Sequence, residues 1–128
     1  MTPLSILLCV KIVGTFFPVA LPLLVMPKSF IDKRSGFAPS DVSLYRLYGM
    51  AVLALLVGYA GGLAQIADGT FPIGVLAMGF VSNVGAFLIM VITGRAAKTP
   101  ASAAFFGLIA AGLAIAFAMQ GAAMTPLW

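Results

Sequence analysis

The chain has no histidine and no glutamate, a single cysteine, and only seven basic and three acidic side chains in 128 residues. Each shortage excludes a class of chemistry. Without histidine there is no usual general base near neutral pH and no common haem ligand. Cys9 alone forms no intrachain disulfide, and with three aspartates outside the apolar runs it builds no familiar zinc or di-iron site. No acidic residue lies within an apolar run, where a proton-coupled exporter would carry one. No phosphate loop, nucleophile elbow or nucleotide fingerprint is present. No catalytic, cofactor-binding or metal-ligating residue is therefore assigned. Charged residues are 8% of the chain, against about 25% in a soluble domain.

What fills the chain is apolar. Hydrophobic residues are 62% and the mean hydropathy is +1.17. They gather in four runs, at about 4–26, 44–67, 73–94 and 101–124. At the helical rise of about 1.5 Å per residue, each spans a hydrocarbon core of about 30 Å. The expected fold is all-α: a single integral-membrane domain over 1–128, with four transmembrane helices in an up-down antiparallel bundle, because short links join sequential antiparallel neighbours. The first run is read as an uncleaved helix, since no basic residue precedes Lys11 and the apolar stretch outruns a signal-peptide core.

The basic residues set an orientation. Lys28, Lys33, Arg34, Arg46, Arg95 and Lys98 flank the first and third gaps, and none lies in the second. Short Lys- and Arg-rich loops stay in the cytoplasm, so these six form a basic inner face and both termini lie on the non-cytoplasmic side of the cell inner (plasma) membrane. The formal charge of +4 then suits anionic lipid headgroups rather than nucleic acid. Lys28, Asp32, Lys33 and Arg34 alternate with Phe30, Ile31 and Phe37, as in a short segment lying on the membrane surface.

Within the runs, hydroxyl–proline pairs at Thr2-Pro3 and Thr99-Pro100 read as helix starts, with Ser40-Asp41 or Ser43 opening the second helix. Pro18 and Pro22, four residues apart, predict a kink in the first helix. Ala54, Gly58 and Gly62 recur every four residues, as do Ala110, Ala114 and Ala118. Both stripes are read as close-packing faces within the chain or against another subunit. Lys11 is the one charge inside an apolar run, and an ionisable residue at that depth is a functional candidate. Its stem permits two outcomes, a head returned to the outer headgroups or one turned into the bundle. With Ser82 and Asn83 it forms the candidate intramembrane polar site.

A kinked first span, an amphipathic inner link, and then Leu44-Tyr45-Arg46-Leu47-Tyr48-Gly49 leading into an apolar helix resembles the small four-helix DoxX-like membrane proteins of bacteria. The Arg46-x-x-Gly49 step carries the local likeness. The resemblance implies an inner-membrane helical bundle, in a group whose named members are small subunits tied to quinone-linked oxidoreductases. Any redox chemistry would then belong to a partner. The expected function is a non-catalytic accessory protein or subunit of a larger membrane complex. The alternative is a small oligomeric transporter or channel for an ion or small solute. The partners expected are the bilayer and other membrane subunits or further copies of the chain.

Overall fold

The computed structural model describes residues 1–128, and they form helices and connecting turns with no strand. Four helical stretches are long and apolar enough to cross a membrane, as in a multi-pass membrane protein: Pro3–Val25, Ser43–Ala67, Ile73–Ile92 and Pro100–Ala118.

The first stretch begins as the sequence predicts. Thr2 Oγ1 accepts from the Ser5 amide at 3.1 Å, Ser5 Oγ accepts from the Thr2 amide at 2.9 Å, and proline follows the cap. This reciprocal box satisfies two amides that have no helical partner. Helix α1 runs over Pro3–Thr15. The distortion expected at Pro18 and Pro22 then takes the form of a π-helical turn over Phe16–Ala20, closed by the Leu21 amide on the Phe16 carbonyl, before α2 resumes at Leu21–Val25. Proline lacks the amide that the preceding turn requires, and widening the turn by one residue re-pairs the backbone around that gap.

The first link holds a helix of its own, α3 (Lys28–Ser35), which buries Ile31 and ends at Gly36 with φ +68°, a left-handed turn that glycine adopts freely. Helix α4 (Ser43–Ala67) follows, then α5 (Ile73–Ile92), a single turn α6 (Arg95–Lys98), α7 (Pro100–Ala118) and a last turn α8 (Gln120–Met124). The fourth apolar run is thus interrupted at Met119 (φ −123°, ψ 51°), and the third ends at Ile92, short of the expected boundary. Two expected caps do not form. Thr99 donates its hydroxyl back to the Arg95 carbonyl at 3.1 Å, because the α6 turn immediately precedes it. Val42 occupies the cap position of α4, with Asp41 accepting from the Ser43 amide at 3.3 Å.

Leu4 and Leu8 of α1, Leu56, Tyr59 and Ile66 of α4, Leu76 of α5, and Ile109, Leu113 and Ala116 of α7 form one core. The most extensive helix pairing is α5 with α7; α4 meets α5 sparsely. The two alanine–glycine stripes divide between inward and outward positions. Gly62 is buried against Val75 and Leu8, Gly58 lies against Met78, and Ala110 is buried, but Ala54, Ala114 and Ala118 face outward. The reason is helical phase. A step of four residues overshoots a full turn by about 40°, so a strict four-residue repeat winds off the packed face. The residues that stay inside mix steps of three and four on α4, at Val52, Leu56, Tyr59, Gly62 and Ile66, and on α7 they fall at Ala103, Ile109, Ala110, Leu113 and Ala116.

Arg46 and Gly49 join the first stretch to α4. Arg46 Nη1 donates to the Leu23 carbonyl at 2.7 Å and Nη2 to the Met26 carbonyl at 2.8 Å, so the guanidinium closes the end of α2. One turn on, a Cβ on Gly49 would lie 3.0 Å from Leu23 Cβ and 3.1 Å from Leu24 Cγ. Leu23 Cβ is fixed to backbone and has no torsion with which to yield. Gly49→Ala should therefore force α2 and α4 apart and lower stability by about 1–3 kcal/mol. Gly61→Ala, where a Cβ meets open space, should leave stability unchanged or slightly raised. Thermal unfolding of both variants in detergent, followed by circular dichroism, checks this; equal midpoints would mean that the helices separate freely at Gly49.

Candidate functional site

Lys11 turns inward. Its side chain is 5% exposed, and Nζ donates to Asn83 Oδ1 at 2.8 Å. Of the two outcomes its stem permits, the structure has the interior one. Asn83, 1% exposed, spends its amide donor on the Gly79 carbonyl at 2.6 Å and the Tyr59 hydroxyl at 3.0 Å. These contacts fix the amide orientation, since a lysine only donates and must face the oxygen. Nζ also lies 5.2 Å and 4.9 Å from the ring centroids of Phe105 and Phe106, within range of a cation–π attraction. Each of the four long helices thus contributes to one centre: Lys11 from α1, Tyr59 from α4, Asn83 from α5 and the phenylalanine pair from α7.

Two close approaches make room for it. A Cβ on Gly79 would lie 2.6 Å from the Tyr59 hydroxyl oxygen, and one on Gly14 would lie 2.9 Å from the Phe105 ring. Glycine at both positions lets the phenol and the ring reach the interior. Ser82, the third residue expected here, returns its hydroxyl to the Gly79 carbonyl at 3.1 Å and stands beside the centre without touching Nζ.

Lys11 also lines a cavity of about 90 Å³, whose walls include Thr15, Val19, Tyr59, Ser82 and Phe106. Thr15 is 5% exposed, and its hydroxyl oxygen has no hydrogen-bond partner. Sequence reasoning placed Lys11, Ser82 and Asn83 together but missed Thr15, Tyr59 and the two phenylalanines. The Thr15 signal was available, because a residue four positions after Lys11 shares its helical face. No spacing in the sequence links Phe105 and Phe106 to Lys11.

The centre is electrically one-sided. All three aspartates lie outside the four long helices, so no carboxylate faces Lys11. Asn83 Oδ1 and the ring faces offer only partial negative charge. The arrangement can hold an electronegative group, but no acid–base or nucleophile–base pair is assembled in it.

The six basic residues assigned to the inner face divide in role. Arg46 is committed to backbone carbonyls, and Lys28 pairs with Asp32 at 2.7 Å. Arg95 donates to the Ser35 carbonyl and stacks its guanidinium 4.0 Å from the Phe37 ring centroid, which brings the third link against the first. Lys33, Arg34 and Lys98 are exposed. The Tyr45 hydroxyl lies 2.8 Å from both Asp32 Oδ1 and the Phe37 carbonyl, tying α3 to α4. Hydrogen bonds from Lys28 and then Tyr45 hold the Asp32 carboxyl below its ordinary range.

A double-mutant cycle tests the Lys11–Asn83 coupling. Asn83→Leu strands a buried cation and should cost about 3 kcal/mol or more. Lys11→Met removes that cation in a side chain of similar length and should be far less costly. Added to Lys11→Met, the Asn83 change should cost much less than it does alone. Unfolding free energies that add to within about 0.5 kcal/mol would show the two residues to be uncoupled. Nothing matches this chain among protein-family models, curated proteins or solved structures.

Proposed function

We propose that the chain is a small inner-membrane transporter or channel that handles an ion or small solute at the Lys11 centre. The observation that carries this reading is a buried cation, hydrogen-bonded only to a neutral amide, at the wall of a cavity between the helices. A charge kept at that depth costs several kcal/mol unless it is matched, and such residues recur along ion and substrate paths. Placement in a bilayer is supported by large apolar side chains on the outside of the helices, such as Val57, Val81, Leu108 and Ile92, the last 81% exposed.

An up-down bundle with the first and third links at one end is supported by the Arg95–Ser35 contact, and by the Leu127 amide donating to the Met1 carbonyl at 2.9 Å. In this reading both termini are outside, and Lys33, Arg34 and Lys98 meet anionic headgroups on the cytoplasmic side. Cysteine labelling tests the orientation. In a Cys9→Ser background, Lys98→Cys should react with an impermeant maleimide only in inside-out vesicles, and Asp68→Cys only in intact spheroplasts. The reverse pattern would invert the topology.

A second reading, a non-catalytic subunit of a larger complex, is favoured by the outward Ala54, Ala114 and Ala118, small residues through which another helix can approach closely. The DoxX-like resemblance, carried by the Arg46-x-x-Gly49 step of the sequence, belongs with this reading. Reconstitution separates the two. Purified protein in liposomes should carry at least one species from a panel of small ions and neutral solutes above the empty-vesicle rate. Lys11→Met, with unchanged assembly, should reduce that flux at least tenfold. Absence of flux, together with stoichiometric co-purification with a larger membrane complex, would overturn the transport reading in favour of the second.

A further inference from the structure

We infer that the cavity beside Lys11 is a binding site for a small monovalent anion, received by Lys11 Nζ and Thr15 Oγ1. The inference rests on the solute-handling reading above and names its ligand class.

Charge is the first argument. Lys11 is buried with no carboxylate on any of the four long helices. A buried ion left without a counter-charge is strongly unfavourable, and an anion in the adjoining cavity supplies what the helices lack. Donor count is the second. An ammonium has three N–H groups, and Asn83 Oδ1 takes one of them. Thr15 adds an independent observation. It lies one turn beyond Lys11 on the same face, lines the same cavity, is 5% exposed, and its hydroxyl has no partner. A buried hydroxyl left unpaired costs free energy, which an acceptor in the cavity would recover.

Volume sets the size of the ligand. The cavity measures about 90 Å³, whereas a void that takes a benzene ring measures about 150 Å³. That volume favours a halide or an anion of three heavy atoms such as formate over a quinone ring or a phosphate ester. Net charge sets the valence: one lysine cancels one negative charge, and a divalent anion would leave an uncompensated charge among apolar walls.

Thermal unfolding of the purified protein in non-ionic detergent tests this, with ionic strength held constant by sodium gluconate. Chloride and formate are titrated separately, and sulfate and dodecanoate serve as divalent and chain-bearing controls. The midpoint should rise saturably with chloride or formate and stay flat with sulfate. In protein labelled with ¹³C at threonine methyls, the Thr15 signal should shift over the same concentration range. Thr15→Val should weaken the apparent Kd roughly tenfold or more, as for loss of a hydrogen bond to a charged group. Lys11→Met should abolish saturation. Should Lys11→Met fail to fold, Thr15→Val and the methyl shift decide the matter.

Equal rises with sulfate, or unchanged affinity in Thr15→Val, would overturn the assignment. Stabilisation by dodecanoate without any by formate or chloride would overturn it too, and would point to a lipid carboxylate. Saturable anion binding without flux in liposomes would support this inference while overturning the transport reading. Flux of a cation or neutral solute without anion binding would do the opposite.

Discussion

A backbone carbonyl or amide that leaves the helical ladder needs another partner, and this chain has few polar side chains to supply one. That constraint governs the first thirty residues most visibly. Prolines at 18, 22 and 27 each remove an amide, and the stretch between α1 and α3 is where the ladder is most broken. The π turn re-pairs part of it within the chain. The rest is met from outside, by Arg46 on α4, which reaches both the Leu23 and Met26 carbonyls. A planar guanidinium suits that task because its fixed donors reach two acceptors at once. Gly49 follows one turn later because the clasp draws the backbones too close for a Cβ. The spacing of Arg46 and Gly49 is thus one device, with a donor pair to close a helix end and a gap that lets the helices meet.

The Lys11 centre obeys the same constraint with opposite consequences. Asn83 uses its amide group to satisfy the Gly79 carbonyl and the Tyr59 hydroxyl, which leaves a single oxygen for Nζ. An aspartate there would neutralise Lys11, but it would set an acceptor against the Gly79 carbonyl, since a carboxylate only accepts. Asparagine pairs both its amide group and its oxygen and leaves the positive charge uncancelled. The centre therefore joins four helices through Asn83, while Nζ keeps two N–H groups without a partner and its charge is unbalanced. A centre whose only task was to hold the helices together would be more stable with well-packed apolar residues in place of the ion.

Much of this architecture was legible from composition and run length, because hydropathy over a span is a property of the local sequence alone. The Thr2 box was legible for the same reason, as every atom in it lies within three residues. Legibility failed where a residue's role depends on a distant neighbour. Lys11 could point outward or inward on its own stem, and only the presence of Asn83, on another helix, decides. Counting Arg46 among the basic residues flanking the first gap did not reveal its clasp, because the carbonyls it binds belong to a different helix. Which residues of the alanine stripes turn inward was not legible, for a geometric reason. A repeat of four residues looks regular in sequence yet precesses around the helix, so Ala110 is inside while Ala114 and Ala118 are not.

The break in the first stretch and the cavity have a common wall. Lys11 and Thr15 occupy the last turns of α1, and Val19 lines the same cavity from within the π turn. A π turn inserts one residue into the helical sequence, rotating everything beyond it by about 100° relative to an unbroken helix. Without that rotation, Leu23 and Leu24, which lie beyond the turn, would no longer meet Gly49. The proline-associated wide turn therefore sets the register of α2 against α4. Alignment with α4 fixes the end of the helix through Arg46, and the upper turns are fixed by Lys11 on Asn83. The wide turn lies between these two anchors, and so does the unpaired hydroxyl of Thr15.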